Sequence, residues 1–235
     1  MIRAVIFDLD GTLYNEKSFV KSGFRAVSAY LASKYPINEN VIFSHLIRNF
    51  ERGLRGKNFD VLIKEFGLTK EKVIDLVDIY RTHKPEIKLY TDAKILLSYL
   101  RSKQYKLGLI TDGHATTQRN KIKALGLTNY FDAIIITEEL GKGFLKPSVK
   151  SYKLMLHKLN VKPEECVYIG DNPLKDFLPA KKLDITTVRV KRGEGFYDSI
   201  EVPKELDADY QVANLLAIPS LIEKLRVQTK NERSC

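Results

Sequence analysis

Two aspartates stand two residues apart where an apolar run ends near the start of the chain. The stretch AVIFDLDGTLY, residues 4–14, passes from apolar and small residues directly to Asp8, and Asp10 and Gly11 follow. Carboxylates at the edge of an apolar core are costly unless a cation or hydrogen-bond donors compensate them. The pattern therefore predicts that distant parts of the chain supply this compensation.

Further polar residues follow other strand-like runs. They are Thr111 and Asp112 after KLGLI, Asp171, Asn172 and Asp176 after CVYI, and Lys146 in the intervening GKGFLKPS. In an open α/β sheet, ligands bind beyond the carboxyl ends of the strands. We therefore expect these residues, although far apart in sequence, to meet at one edge of a sheet.

Several acids at one edge would repel one another. At about 4 Å and an effective dielectric constant near 20, each pair of like charges costs on the order of 4 kcal/mol. A cation is the simplest compensation, and oxygen ligands without sulfur or imidazole favour Mg²⁺ over zinc. A lysine, a hydroxyl and backbone amides in glycine turns suit phosphate oxygens. The set therefore points to phosphoryl transfer to a carboxylate nucleophile.

The elements that must position these residues alternate between strand and helix. From about residue 86, helical patterns precede the apolar runs KLGLIT, DAIIIT, CVYIGD and TTVRV, which favours parallel βαβ units. The segment after the first strand is instead almost wholly helical, and we expect Thr69 to cap its last helix. The predicted fold is α/β, a doubly wound parallel-sheet, Rossmann-like core with an inserted α-helical domain.

The ordered motifs DLDGT, LITDG, LKP and GDNPLKD resemble those of the haloacid dehalogenase (HAD) superfamily. The resemblance covers residues 4 to about 225, and the helical insertion resembles the cap domain of the subgroup that inserts it between the first two motifs. It implies a catalytic core of residues 1–15 and 86–228 and a helical cap of residues 16–85. Residues 229–235 are expected to form a disordered tail.

The resemblance implies catalytic roles for the first two acids. Asp8 would attack phosphorus and form an aspartyl-phosphate. Asp10 would protonate the leaving oxygen and then activate water. A turn or cap role for either acid is the structural alternative.

The resemblance also implies the groups that hold phosphate. Thr111 would donate to a phosphate oxygen, the amide of Asp112 would assist, and Lys146 would neutralise the nucleophile and the transferring group. Thr111 could instead cap the following helix. Lys142, in the same loop as Lys146, is an alternative lysine.

For a metal ion, the resemblance implies Mg²⁺ bound by Asp8, by the backbone carbonyl of Asp10 and by Asp171. Asp176 and Asn172 would surround the metal ligands rather than bind directly. Asp176 could also be only an acid in the first turn of a helix, where the helix dipole favours it.

The expected function is a Mg²⁺-dependent phosphatase acting on a small phosphorylated metabolite. A phosphosugar mutase uses the same chemistry and is the first alternative, and a non-catalytic phosphate-binding regulator is the second. A basic stretch of the cap could meet a second anionic group of the substrate, although a solvated helix face explains it equally well. Its members are Arg48, Arg52, Arg55 and Lys57.

Charge and hydropathy argue against nucleic acids and membranes as binding partners. The net charge of +10 is spread along the chain, and no aromatic-interleaved basic motif suggests nucleic acid. No apolar run approaches the roughly 20 residues that cross a bilayer, and the N-terminus lacks the pattern of a signal peptide. We therefore expect a cytoplasmic enzyme, monomeric or homodimeric, that binds neither nucleic acid nor membrane.

Overall fold

Six parallel strands form one sheet in the structure, a computed structural model that describes residues 1–232 and the side chains of residues 1–227. The strands are β1 (Ala4–Phe7), β2 (Lys106–Thr111), β3 (Ala133–Ile136), β4 (Cys166–Gly170), β5 (Thr186–Val190) and β6 (Tyr210–Val212). Their order is β3-β2-β1-β4-β5-β6, and every neighbouring pair is parallel. The prediction of a doubly wound parallel sheet is confirmed.

Both faces of the central strand are buried, which explains its unbroken apolar sequence. Val5 and Phe7 point into one core cluster, whereas Ala4 and Ile6 point into another on the opposite face. None of these side chains is accessible to solvent. β1 is therefore fixed from both sides, and so is the position of the residue that follows it.

Helices cover the two faces of the sheet. They are α5 (Thr91–Ser102), α6 (Ala115–Ala124), α7 (Val149–Leu159), α8 (Phe177–Lys181) and α9 (Ile218–Glu232). Residues of α5, α6 and α9 join the core cluster of Phe7, and residues of α7 and α8 join the cluster of Ile6. The sheet edge beyond the strand ends is left for the site.

Four helices form a separate block after β1. They are α1 (Glu16–Lys34), α2 (Glu39–Glu51), α3 (Asn58–Glu65) and α4 (Val73–Thr82). Their apolar faces make a core cluster of their own, and the side chains of Asn15 and Asn38 cap the first two helices. The block lies within the predicted segment 16–85, and its status as a cap domain stays a prediction.

The two chain segments that join this block to the sheet lie side by side. Tyr14 forms an antiparallel bridge with Leu89, and the amide of Tyr90 donates to the carbonyl of Leu13 over 3.0 Å. The chain therefore enters and leaves the block at the same place.

Three details differ from the sequence-based expectation. α4 begins at Val73 after Lys72 with no side-chain cap, so the predicted Thr69 cap is wrong. The short edge strand β6 was not predicted, because its three residues are partly exposed and form no apolar run. The predicted tail starts at residue 229, whereas α9 continues to Glu232, and residues 233–235 lie outside the described part of the chain. Within that part, none of the helices has the length and apolar character that crossing a membrane requires.

Candidate active site

Three adjacent strands bring predicted site residues to one edge of the sheet. Asp8 follows β1, Thr111 ends β2, and Asp171 follows β4. Because β1 pairs with both β2 and β4 in register, these positions are neighbours. The topology thus assembles a site from segments that are far apart in sequence.

A buried lysine bridges two of the acids. The ammonium of Lys146 donates to Oδ1 of Asp8 over 2.5 Å and to Oδ1 of Asp176 over 2.7 Å. The side chains of Lys146, Asp8 and Asp176 are only 3%, 9% and 0% exposed. The hydroxyl of Tyr168 donates to the same oxygen of Asp176 over 2.9 Å. Lys146, rather than the exposed Lys142, therefore faces the nucleophile position.

Three carboxylates gather around this lysine with more negative charge than it can offset. One oxygen from each of Asp8, Asp171 and Asp176 lies within 4.8 Å of the others. Oδ2 of Asp171 is buried and has no hydrogen-bond partner within the described part of the chain. An unpartnered buried carboxylate oxygen is costly, so the cluster suits a divalent cation with oxygen ligands.

A glycine makes room for this orphaned oxygen. Gly11 has a φ of +73°, and a Cβ atom there would lie 2.0 Å from Oδ2 of Asp171. Only glycine tolerates both the backbone conformation and this close approach. The glycine of DLDGT therefore keeps space open beside Asp171.

The electrostatics of the cluster shift its proton affinities. Burial raises the pKa of Asp8 to about 7, and the charges of Asp176 and Asp10 add to the effect while Lys146 opposes it. Burial, with Asp8 and Asp176, also holds the pKa of Asp171 well above its ordinary range. Burial alone would lower the pKa of Lys146, but its acidic neighbours hold it well above normal. A cation bound here would remove much of this repulsion.

Asp10 is turned toward a different set of partners. Its Oδ1 accepts from Lys121 Nζ over 2.7 Å and from the hydroxyl of Tyr14, and its Oδ2 accepts from Gln118 Nε2 over 2.8 Å. Burial favours the neutral acid, but the Lys121 charge and these hydrogen bonds outweigh it and lower the pKa of Asp10. Asp8 and Asp10, two residues apart, therefore have opposite pKa shifts.

The sequence-based reasoning missed all three partners of Asp10. Gln118 and Lys121 stand three residues apart and so share a face of α6. That spacing was the available signal, but it does not say what the face meets. Only the packing of α6 against the segment after β1 reveals the contact.

The two residues predicted to bind phosphate beside Lys146 have clear local roles. Thr111 is buried, and its hydroxyl lies 2.5 Å from Gln118 Nε2. The Asp112 carboxylate accepts from the amide of Lys146 over 3.1 Å and from the Thr137 hydroxyl over 2.6 Å. Asp112 therefore braces the loop that carries Lys146, and its amide remains the predicted phosphate donor.

Asp176 and Asn172 shape the loop after β4. Oδ2 of Asp176 accepts from the amide of Asn172 over 3.0 Å, and Oδ1 of Asn172 accepts from the amide of Leu174 over 3.0 Å. Both oxygens of Asp176 thus accept hydrogen bonds, yet one of them lies in the cluster with Asp8 and Asp171, so its place around the metal ligands rather than among them stays a prediction.

A small cavity of about 110 Å³ opens at this edge. It is lined by Asp8, Asp10, Glu16, Asp112, Lys146, Asp171, Asn172, Lys175, Asp176 and Tyr197. The sequence-based reasoning missed Glu16 and Tyr197, which belong to none of the motifs, and Lys175, which lies within GDNPLKD but was given no role. Burial and the neighbouring charge of Asp10 raise the pKa of Glu16 to about 8.

The basic residues of the helical block do not line this cavity in the described part of the chain. Arg48, Arg52, Arg55 and Lys57 are all exposed. The Arg55 guanidinium lies 3.6 Å from the ring centre of Phe50 and 5.3 Å from that of Phe196, and it donates to the Phe50 carbonyl over 2.7 Å. In this arrangement Arg55 ties the helical block to the loop of Phe196.

Comparisons with known proteins agree with this geometry. The family model described as "Haloacid dehalogenase-like hydrolase" matches residues 5–190. A glyceraldehyde 3-phosphate phosphatase of Methanocaldococcus jannaschii is 32% identical over 96% of this chain and 99% of its own. A protein of the same name from Methanopyrus kandleri is 30% identical over 90% of this chain and 93% of its own. The crystal structure of a HAD phosphatase from Thermococcus onnurineus is similar, with a TM-score of 0.63, 27% identity and coverage of 94% of this chain and 98% of that one.

Proposed function

Since this chain belongs to the haloacid dehalogenase-like hydrolase family, we propose that it hydrolyses a small phosphate monoester through a phosphorylated Asp8. The observation that carries the proposal is the contact of 2.5 Å between Lys146 Nζ and Asp8 Oδ1 inside a cluster of acids. A structural ion pair needs no such surplus of negative charge. A site for a divalent metal ion does.

In the first half of the reaction, a carboxylate oxygen of Asp8 attacks phosphorus and the bond from phosphorus to the leaving oxygen breaks. Asp10 gives the leaving oxygen a proton. Lys146 and the hydroxyl of Thr111 offset charge on the phosphoryl oxygens, assisted by the amide of Asp112. The products of this half are the alcohol and an aspartyl-phosphate.

In the second half, a water molecule attacks the same phosphorus atom. Asp10 accepts a proton from this water, and the bond from phosphorus to Asp8 breaks. Inorganic phosphate leaves, and Asp8 is a carboxylate again. Splitting one displacement into two in this way is the usual gain of covalent catalysis.

Mg²⁺ is the cofactor we propose for the acidic cluster. Asp8, Asp171 and the backbone carbonyl of Asp10 would hold it, with Asp176 and Asn172 around them. When bound, the ion would offset the charge of the cluster and of the phosphoryl oxygens. The unpartnered Oδ2 of Asp171 fits a ligand of this kind.

The substrate we propose to test first is glyceraldehyde 3-phosphate, because similar proteins of two archaea bear its name. A cavity of about 110 Å³ suits a phosphate with a short carbon chain. The same names favour hydrolysis over the mutase and regulator alternatives.

The test is phosphate release by the purified chain with Mg²⁺ from a panel of monoesters. The panel contains glyceraldehyde 3-phosphate, phosphoserine, phosphoglycolate, hexose phosphates and a nucleotide. We expect release from short-chain esters and loss of release in EDTA. Conversion of a hexose 1-phosphate to its isomer without phosphate release would favour the mutase, and no turnover of any ester would favour the regulator.

A further inference from the structure

Within the proposed function, on which this inference rests, we propose that Lys121 is a positioning residue for the second half of the reaction. Together with Tyr14 and Gln118, it holds the Asp10 carboxylate in the orientation of a base. None of these three residues belongs to the motifs that carry the family resemblance.

The contact is close and shielded from solvent. Lys121 Nζ lies 2.7 Å from Asp10 Oδ1, and the two side chains are 7% and 19% exposed. Surface pairs contribute little to stability because water screens them and the side chains lose entropy. Water screens a pair this enclosed far less, so it can fix the orientation of the carboxylate.

Lys121 makes its direct ion pair with this one acid. Among the described side chains, Asp10 is the only carboxylate within ion-pair distance of its ammonium. The other close neighbour is an aromatic face, since the ammonium lies 4.3 Å from the ring centre of Phe19 in α1. The charge of Lys121 also acts to lower the pKa of Glu16, but its direct contact is with Asp10, so the orientation of Asp10 is what this lysine fixes.

The hydrogen bonds orient the Asp10 carboxylate and leave part of it free. All three neighbours donate, two of them to Oδ1 and one to Oδ2, so both carboxylate oxygens act as acceptors and Oδ2 keeps a free lone pair. That lone pair can take a proton from water without the loss of any of the three hydrogen bonds. The donors therefore fix the direction from which Asp10 acts as a base.

For a substrate whose leaving group needs no proton, the step that depends on Lys121 is hydrolysis of the aspartyl-phosphate, because only this step uses Asp10. Water forms a bond to phosphorus and gives one proton to Asp10, and the bond from phosphorus to the Asp8 oxygen breaks. The electron pair of that bond stays on Asp8. Loss of Lys121 should slow this step and leave the attack of Asp8 on a good leaving group nearly unchanged.

The experiment follows p-nitrophenyl phosphate with Mg²⁺ in stopped flow and in steady state. Its leaving group departs without needing a proton, so kcat/KM reports phosphorylation of Asp8 and kcat reports hydrolysis of the intermediate. For Lys121→Met we expect kcat to fall about 100-fold with kcat/KM within about threefold of the unaltered protein. We also expect a burst of p-nitrophenolate of roughly one equivalent per chain.

Matched variants separate positioning from folding. Lys123→Met alters an exposed lysine of the same helix and should change neither constant. Lys121→Arg keeps a cation and should recover most of kcat. Tyr14→Phe removes only a hydroxyl, and we expect a smaller fall in kcat, again with kcat/KM nearly unchanged. This variant can decide the test if Lys121→Met does not fold.

Equal losses in kcat and kcat/KM without a burst would overturn the role of Lys121, and so would unchanged kinetics. Failure of the unaltered protein to release p-nitrophenolate at all would instead count against the proposed function. The two failures are therefore distinct.

Discussion

The ammonium of Lys146 lies 2.5 Å from Oδ1 of Asp8, and neither side chain is more than one-tenth exposed. Asp8 stands at the end of the central strand, where both faces of the sheet hold it in place. Lys146 comes from a loop that the Asp112 carboxylate braces. Asp8 and Lys146 are therefore positioned by separate elements of the fold and meet at the cavity.

Asp8→Asn should abolish turnover while the protein stays folded. The amide is isosteric but is a poor nucleophile, so we expect kcat to fall by roughly 10⁴-fold or more. Phosphate release measured beside circular dichroism checks this. Asp60→Asn, an exposed position on α3, is the control and should keep full activity. Activity retained in Asp8→Asn would remove the assignment of Asp8 as nucleophile.

Lys146→Met should cost stability as well as activity. It leaves Asp8 and Asp176 buried without their shared cation, and breaking a buried pair of this kind costs about 3–5 kcal/mol. Urea denaturation would measure the change, with the exposed Lys142→Met as control. Adding Asp176→Asn should restore part of the lost stability, and an unchanged unfolding midpoint in Lys146→Met would contradict the electrostatic account of the cluster.

The contribution of Asp8 to the stability of the metal-free protein should fall as the pH rises from about 4 to about 7. The pKa of Asp8 is about 7 in the folded protein against an ordinary 3.8. In this window the unfolded chain has lost the proton that the folded chain keeps, so the free energy of unfolding falls with rising pH. The Asp8 contribution is on the order of a few kcal/mol.

Thermal unfolding across this pH range, in EDTA, tests the prediction. Asp8→Asn should show a shallower decline than the unaltered protein, because it lacks the titrating group. At pH 7.5, Mg²⁺ should raise the Tm of the unaltered protein more than that of Asp171→Asn. Identical pH profiles for Asp8→Asn and the unaltered protein would refute the pKa shift of Asp8.

Arg55→Ala should leave the ranking of substrates unchanged. The guanidinium packs on Phe50 and faces Phe196, and it does not line the cavity, so it recognises no second anionic group there. We expect a loss of about 1 kcal/mol in stability from the aromatic contact. The substrate panel and a thermal melt measure both, with the exposed Arg48→Ala as control. A selective loss of activity on esters with a second anionic group would give Arg55 a place in recognition after all.

The sequence indicated the sheet and the acids at its edge because both depend on local signals. Apolar runs mark buried parallel strands, and residues that follow such strands share one edge of the sheet. This reasoning placed Asp8, Thr111 and Asp171 correctly without any knowledge of the packing. The domain boundaries and the roles of the individual site residues remain predictions.

What the sequence could not indicate depends on contacts between elements. Lys121 and Gln118 lie on a helix whose pattern is typical of any amphipathic surface, and only its docking against the segment of Tyr14 brings them to Asp10. Glu16 reaches the cavity because α1 begins directly beside it. β6 was not predicted from the sequence, because an edge strand of three partly exposed residues has no apolar run that would mark it.

The bridge between Tyr14 and Leu89 has a mechanical consequence. Entry and exit of the helical block are joined by this single bridge and by the hydrogen bond from Tyr90 to Leu13. Tyr14 lies in this junction and its hydroxyl donates to Asp10. The placement of the helical block is therefore coupled to the orientation of the Asp10 carboxylate.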